Sequence, residues 1–461
     1  MKEVKHLPCE IVSEILSRLP IESLMQFKSV CKIWFSLIED PSFVKLQLKR
    51  AKSRPRRLIL WSNQVRKNWV LLLDRDKEGK DMWKGRDISL EYTFKYEKQD
   101  HCLNFIIVGS CNGLLCMVST FWYGCCSIFY GIFICNPITQ ECTMLPVGGG
   151  RFFNGGNIVE GQIGFGVDSS GKYKVIQIFK KLGFSSDVDD DCGLKGEIIT
   201  LGESSWREIE IPYQSFYSRD DSWRKRRAIE GMVFMNGVLY CIIQKPTTHE
   251  VSNQPIILVF NLDDEKFSTI EFRPFIEFPP YYELGLTEIK GSLALHHRLD
   301  FYDEPSILRM WLIDINKSKG NQLYHCDHTR VPKMGRNFFV CFDLVGMLSN
   351  NLLLYTVEIE RGTLLLVHCL EKKQFMRVQI PQAIPSRFQA KSFVPSLVSP
   401  IAIACGKTKK DGRYKFQGLH LEVVGYSSLW EFMSSCLLHP TFSPTLSYKS
   451  QYLPHWYRHP N

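Results

Sequence analysis

The sequence predicts a mainly β protein with a small N-terminal α domain: three short helices followed by a β-propeller-like body. Three observations predict it. Apolar residues recur at helical spacing only within roughly the first forty of the 461 residues. Beyond about Leu58 they gather into runs of five or six, separated by turns, which is the pattern of strands. Along that second part a turn followed by an apolar strand recurs, as in a body built from repeated sheets. Composition agrees. The chain is 44% hydrophobic and 23% charged, a globular balance, and its 13% of aromatic residues suits sheets. A net charge of +9 is modest for this length; it permits acidic partners and gives no reason to expect nucleic acid.

In the first helix Ile11, Ile15 and Leu19 share a face, with Leu16 beside them, and Pro20 ends it. Leu24 and Phe27 mark a second helix. Val30, Cys31, Trp34, Leu37 and Ile38 mark a third, which Pro41 is expected to close. So small a unit cannot bury that many apolar side chains alone. The excess implies a partner surface, either a second protein or the rest of this chain. Next comes a basic run, Lys49, Arg50, Lys52, Arg54, Arg56 and Arg57. It is expected as a solvated linker, with a nuclear-import or acidic-partner patch as the sharper alternative.

The strand-like runs are Leu58–Trp61, Val70–Leu73, Phe105–Val108, Ile132–Cys135, Lys174–Phe179, Gly231–Phe234, Val238–Ile243, Ile256–Phe260, Leu308–Ile313, Leu352–Val357 and Leu364–His368. No charged residue occurs from His101 to Gln140, long enough for a membrane span. Gly109, Asn112-Gly113, Gly124, Gly131 and Pro137 break it up, so buried strands are expected there and no membrane contact. Asn112-Gly113, Asn236-Gly237, Lys290-Gly291 and Asn350-Asn351 each precede an apolar strand. A closed ring of blades would hide the strand edges, with an irregular β-sandwich or barrel as the competing architecture. The expected domains are 1–45 (helical), 46–57 (basic linker), 58–405 (β body) and 406–461 (irregular, with Pro440, Pro444, Pro454 and Pro460).

The 16 cysteines form no C-x-x-C pair, which argues against ribbon or finger zinc sites and for mostly free thiols in a reducing compartment. Enzyme signatures are missing: there is no G-x-S-x-G and no H-E-x-x-H, and Gly406-Lys407-Thr408 lacks the first P-loop glycine, because position 401 is Ile401. His325-Cys326-Asp327-His328, with His296-His297, and the acidic run Asp187, Asp189, Asp190 and Asp191 read more simply as polar loops than as metal sites. No cofactor is expected.

The N-terminal block, from Leu7-Pro8-Cys9-Glu10-Ile11 through Leu19-Pro20 to Val30-Cys31-Lys32-Ile33-Trp34 and Pro41-Ser42-Phe43, closely resembles an F-box. The remainder resembles the F-box-associated domain of plant F-box proteins. Gly109 to Cys116, Cys135-Asn136-Pro137 with Leu145-Pro146, Phe165 to Asp168 with Tyr173 to Val175, Ser205-Trp206-Arg207 and Gly231 to Leu239 follow in order. The likeness covers about Leu7 to Ile380, and 148–161 and 214–227 look like loop insertions.

The resemblance implies the substrate-recognition subunit of an SCF-type (Skp–cullin–F-box) ubiquitin ligase. Such a protein binds a Skp-type adaptor and, through it, cullin and RING subunits, and makes no bond itself. Residues expected at the adaptor interface or supporting it are Leu7, Pro8, Ile11, Ile15, Leu16, Leu19, Pro20, Leu24, Phe27, Val30, Cys31, Trp34 and Leu37, with Phe27 and Trp34 as the large anchors. A protein substrate is expected on the β body. The lead for its contact is the basic, aromatic stretch holding Phe216, Tyr217, Trp223, Arg224, Arg226 and Arg227. Such proteins work in the cytoplasm or nucleus. A non-degradative F-box scaffold shares every motif and is the alternative.

Overall fold

A computed structural model describes residues 7–64, 67–75, 83–88, 104–123, 126–146, 148, 161–180, 194–211, 229–244, 255–271, 282–299, 307–313, 329–330, 339–349, 352–359, 362–372, 374–378 and 386–405. Four helices come first: α1 (Cys9–Leu16), α2 (Ile21–Phe27), α3 (Lys32–Glu39) and α4 (Pro41–Lys52). Pro8 and Pro20 each stand just before a helix and accept its first-turn bonds, from Ile11 and Val12 at 3.1 Å and from Leu24 at 3.2 Å. The Cys31 thiol caps α3 by accepting from the Trp34 N–H at 3.4 Å.

One expectation is met and extended, and one is corrected. Pro41 closes α3 as expected, since Asp40 before it is extended and α3 ends at Glu39, and it also opens a further helix that the sequence had not shown. It occupies the first turn, where no N–H is needed, and the Asp40 carboxylate caps it by accepting from the Ser42 N–H at 2.8 Å. That bonding to Ser42 also holds the Asp40 pKa below its ordinary value. The expected linker 46–57 is helical through Lys52, because α4 has something to lie on: Phe43 and Gln47 are buried one turn apart, and Val44 and Leu48 pack against the β body.

The body is a six-bladed β-propeller. Blade 1 holds β1 (Arg57–Gln64), β2 (Lys67–Arg75) and β3 (Trp83–Ile88); blade 2 holds β4 (Asn104–Cys111), β5 (Leu114–Tyr123), β6 (Cys126–Asn136) and β7 (Glu141–Met144). Blade 3 holds β8 (Gly161–Val167), β9 (Tyr173–Lys180), β10 (Leu194–Thr200) and β11 (Arg207–Ile209), with β12 (Ile229–Gly231) added parallel to β8. Blade 4 is β13 (Val233–Met235), β14 (Val238–Gln244), β15 (Pro255–Asn261) and β16 (Lys266–Glu271). Blade 5 is β17 (Tyr282–Ile289), β18 (Ser292–Leu299), β19 (Ile307–Ile313) and β20 (Thr329–Arg330). Blade 6 is β21 (Phe339–Ser349), β22 (Leu352–Ile359), β23 (Gly362–Cys369) and β24 (Gln374–Arg377).

The chain end closes the ring. Strand β25 (Gln389–Phe393) pairs antiparallel with β1, Arg57 opposite Phe393, and becomes the inner strand of blade 1. The inner strands then adjoin in the order β25, β4, β8, β13, β17, β21 and back to β25. Gln389 fastens the seam: its side-chain amide donates to the Phe105 carbonyl at 2.7 Å and accepts from the Ile107 N–H at 2.8 Å. This closure removes the inner edges that would pair with other chains. Gly231–Phe234, read as one strand, is divided between two blades. Its first part pairs with β8 and its last part with β14, and Gly231 lies so close to β4 that a Cβ would collide with the Val108 carbonyl.

Three of the four repeated turns take the left-handed conformation at both central positions: Asn112 and Gly113 (φ 53° and 82°), Asn236 and Gly237 (51° and 80°), Lys290 and Gly291 (49° and 75°). These are the type I′ hairpins that sequence pattern anticipates; Asn350-Asn351 lies outside the described residues. Among the described residues Cys111, Cys116, Cys241 and Cys369 are buried free thiols that act as small core apolar groups. Burial pushes the Cys111 pKa up to about 12 and that of Cys116 higher still. Cys135 and Cys142 are the exception among the described cysteines. They face each other across β6 and β7, and their sulfurs are bonded. Among the described residues no helix is long and apolar enough to cross a membrane.

Candidate functional site

The N-terminal helices present two faces. The inner face contributes Leu16, Ile21, Leu24, Ile38 and Phe43 to one apolar cluster with Ile59, Trp61, Phe393 and Leu397 of the propeller. Leu19, Phe27, Trp34 and Leu37 are half-buried and pack on that cluster, and the rings of Phe27 and Trp34 lie 5.2 Å apart. The two residues read as anchors therefore brace each other as much as they face outward.

The outer face stays apolar. Leu7, Ile11, Ile15, Val30, Ile33 and Phe35 are between 40% and 67% exposed, and Met376 is the one other large apolar side chain so exposed among the described residues. Ile11 and Ile15 stand one turn apart on α1, and Leu7 lies just before the helix. Val30, Ile33 and Phe35 sit just before and on α3. Pro8, Pro20 and Cys31 are exposed as well. Exposed aliphatic and aromatic groups gather on this small unit, whereas the described part of the propeller leaves only Met376 so exposed, and such surfaces are the kind that interactions use.

Salt bridges hold the backing of that face. The Arg50 guanidinium, and after it Arg18, keeps the Glu14 carboxyl below the usual carboxylate range. Lys28 at the end of α2 pairs with Glu39 at the end of α3. These pairs tie α1 to α4 and α2 to α3 without using the outer apolar positions.

A family model described as the F-box associated beta propeller domain matches residues 58–398, and one of the F-box domain matches residues 5–46. The chain is an F-box protein. Its F-box is α1 to α4 and its F-box-associated domain is the propeller. Curated relatives from Arabidopsis thaliana include F-box protein At3g07870, 27% identical over 58% of this chain and 60% of that one. F-box protein At1g30790 is 29% identical over 69% of this chain and 74% of that one. F-box protein At2g34280 is 23% identical over 80% and 93%. The chain thus spans about 60% of the length of the first of these relatives. Among solved structures, TolB from Acinetobacter baumannii superposes with a TM-score of 0.40 at 8% identity, over 78% of this chain and 73% of that one, too distant to carry any argument.

The structure sorts the expected interface residues. Leu7, Pro8, Ile11, Ile15, Pro20, Val30 and Cys31 are outside; Leu19, Phe27, Trp34 and Leu37 lie between; Leu16 and Leu24 are fully inside and present nothing to a partner. Leu16 and Leu24 are corrected to core residues, because the propeller supplies their partner surface. Ile33 and Phe35 were missed. The signal was present, since α3 carries Ile33, Trp34, Phe35, Leu37 and Ile38 in eight residues and is apolar nearly all round, the mark of a helix covered on two sides. Phe216, Tyr217, Trp223, Arg224, Arg226 and Arg227 lie outside the described residues, as do His325 to His328, Asp187 to Asp191 and 406–461. His296 is a buried strand residue of blade 5. Among the described residues no group of His, Cys, Asp and Glu is placed to hold a metal ion.

Two motifs shared with the family turn out to have structural roles. The Asn136 side chain, fully buried, donates to the carbonyls of Ser396 (2.9 Å) and Val398 (2.7 Å) and accepts from the Ile138 N–H (2.9 Å). Lys174, nearly buried, lies 2.9 Å from Glu265 and 3.3 Å from Asp168 and donates to the Leu262 carbonyl, so it pins blade 3 to blade 4. Arg207 completes the network at 3.0 Å from Glu265 and, with Lys174 second, depresses the Glu265 pKa.

Proposed function

We propose that this F-box protein is a substrate-recognition subunit of an SCF-type ubiquitin ligase, acting in the cytoplasm or nucleus. Its F-box docks on a Skp-type adaptor, and through it on cullin and RING subunits, and its propeller binds a protein to be ubiquitinated. The observation that carries the reading is the set of exposed apolar side chains on the F-box, Leu7, Ile11, Ile15, Val30, Ile33 and Phe35. The propeller satisfies the inner face of the helices and leaves this set in water. Covering it with an apolar partner groove releases ~1.5–3 kcal/mol for each large side chain fully buried. The chain itself makes no bond; it contributes proximity, by raising the local concentration of a substrate lysine at the charged conjugating enzyme.

Strand connectivity supports a substrate site at the far end of the propeller. Because blades are antiparallel, the turns between first and second strands and between third and fourth all open at one end. That is the end where α4 enters β1 and where the Ser396 hydroxyl bonds the Asn112 carbonyl at 2.6 Å. Apart from 76–82 and 314–328, those turns are short. The connections over 145–160, 181–193, 210–228, 245–254, 272–281 and 331–338 begin and end at the other end. Long connections on a rigid scaffold are where binding specificity is built. The stretch with Phe216, Tyr217, Trp223, Arg224, Arg226 and Arg227 joins β11, the outer edge of blade 3, to β12 on its inner side, and its chemistry fits an acidic protein segment.

The test is reconstitution. The full chain should co-purify with a Skp-type adaptor and lose it on removal of residues 1–45. With cullin, RING and conjugating enzyme added, a protein captured on the propeller should acquire ubiquitin. Adaptor binding that survives the truncation would overturn the reading.

A further inference from the structure

Resting on the reading of the chain as a ligase subunit, we infer that the F-box is clamped to the propeller at one fixed attitude. Glu22, Arg57 and the strap 394–405 are the positioning groups that set the distance from adaptor to substrate. The basic run, expected as a solvated tether, is the first observation. Its arginines are spent on intramolecular bonds. Arg50 pairs with Glu14 and donates to the Glu14 carbonyl at 3.0 Å. Arg54 donates to the Arg18 carbonyl at 2.6 Å. Arg56 pairs with Glu288 of blade 5, and Arg57, the first residue of β1, pairs with Glu22 of α2. The Arg57–Glu22 pair spans the junction directly, and both side chains are only about one-fifth exposed, 21% and 23%.

The second observation is the floor under the helices. After β25 the chain crosses the turn end of blade 2 as a strap that runs into α5 (Pro400–Cys405). Asn136 grips it at Ser396 and Val398, and the Ser396 hydroxyl donates to Asn112. Leu397 belongs to the apolar cluster that takes in Leu16, Leu24 and Phe43. Val398 belongs to the neighbouring cluster, against which Val44 and Leu48 of α4 pack together with Ile403 and Ala404 of α5. The last elements of the described chain therefore make the surface on which the first ones rest. A body held by two apolar clusters and by ion pairs to blades 1 and 5 cannot swing as a bead on a string does. Effective concentration is highest when a connection of matched span cannot wander.

The experiment uses the full chain. Ketone-bearing unnatural side chains at Lys32, on the F-box, and Lys372, in the β23–β24 turn, both exposed, carry nitroxide labels for pulsed dipolar distance measurement. A single narrow distance is expected for the wild type, a broadened one for Arg57→Glu and for Glu22→Arg, and a narrow one again for the charge-swapped double variant. Adaptor affinity, measured separately, should change by less than about twofold in all three, since none of these residues is on the outer face. Ubiquitin transfer to a lysine-bearing reporter captured by a binder raised against the propeller should slow about threefold in the single variants and recover in the swap. A broad wild-type distance, single variants that stay narrow, or broadened variants with unchanged transfer would each overturn the inference. The distance is read without adaptor, so a chain that shows the narrow distance but binds no adaptor would sink the ligase reading and leave the clamp standing. The swapped variant guards against mistaking misfolding for loss of the clamp.

Discussion

Ile33 gives the sharpest test of the outer face, because sequence periodicity did not single it out and its surroundings assign it no internal role. Ile33→Ala removes three carbon atoms. A fully buried carbon of this kind contributes ~0.8 kcal/mol. With 67% of the residue still in solvent in the free protein, burying the remainder against an adaptor makes the loss ~1.6 kcal/mol, about fifteenfold in Kd. The stability of the free chain should move by less than ~0.5 kcal/mol, as for surface positions generally. Isothermal titration of the full chain with a purified Skp-type adaptor reads the first quantity, and urea unfolding reads the second. Leu24→Ala is the counterpart. Leu24 is fully buried in the inner cluster, so that change should cost ~2–5 kcal/mol of stability in the free protein. If Ile33→Ala leaves adaptor affinity unchanged, or acts through stability as Leu24→Ala does, the assignment of α3's outer face is wrong.

The remaining predictions concern the propeller. Lys174→Met should cost ~3–5 kcal/mol in urea unfolding, because Asp168 and Glu265 are left facing each other in a nearly buried site, and it should not alter adaptor affinity. His368, fully buried, stacks on Phe375 with ring centroids 4.5 Å apart, and burial depresses its pKa to about 4. The unfolded chain therefore takes up the proton first. Stability should be full above pH ~6.5 and fall by up to ~3 kcal/mol as pH drops toward 4, and His368→Leu should remove that part of the curve. Identical pH slopes in wild type and variant would refute this. Gly113→Ala and Gly291→Ala both place a side chain in the left-handed region, at ~1–2 kcal/mol each. At Gly291 nothing lies near, whereas a Cβ at Gly113 would run into the Ser396 hydroxyl and sit 2.8 Å from the Val394 carbonyl oxygen. Gly113→Ala should therefore lose clearly more stability, and equal losses would show that the strap does not press on this turn.

What could be read from sequence was whatever a local rule writes locally. Asn112-Gly113, Asn236-Gly237 and Lys290-Gly291 are positions where only a left-handed turn fits, and they gave away the hairpins. The ring was legible only as a recurrence, and its blade count was not, because blade 1 is assembled from strands more than three hundred residues apart. Pro41 was legible in only one of its two roles. It ends α3 by keeping Asp40 extended, and it starts α4 once the Asp40 carboxylate caps the new helix, and that second role needs the cap to be seen. At the F-box, periodicity found the apolar residues but could not divide them. Ile15 and Leu16 are neighbours in sequence, half exposed and buried respectively, and what separates them is the propeller surface under α1. A helix with two apolar faces gives no sign of which face its own chain will take.

That division of faces argues for a division of ends. At the F-box end the propeller is built of short turns, a strap gripped by Asn136, and arginines bound to carboxylates and carbonyls. Each of these holds one element against another, so a change there disturbs the seat of the helices before it alters any partner contact. At the far end the strands end at Lys180, Ile209, Gln244 and Glu271, each followed by ten or more residues before the next strand. Loop closure grows costly only slowly with length, ~0.6 kcal/mol for each doubling, so insertions at that end are cheap for the fold. A scaffold arranged this way can exchange what it recognises without moving where the adaptor sits. Lengthening 245–254 by ten residues should accordingly leave both adaptor affinity and the F-box-to-propeller distance unchanged, whereas two residues inserted at the Gly113 turn should disturb the distance. The opposite pattern would show that the F-box is positioned from the wrong end of the ring.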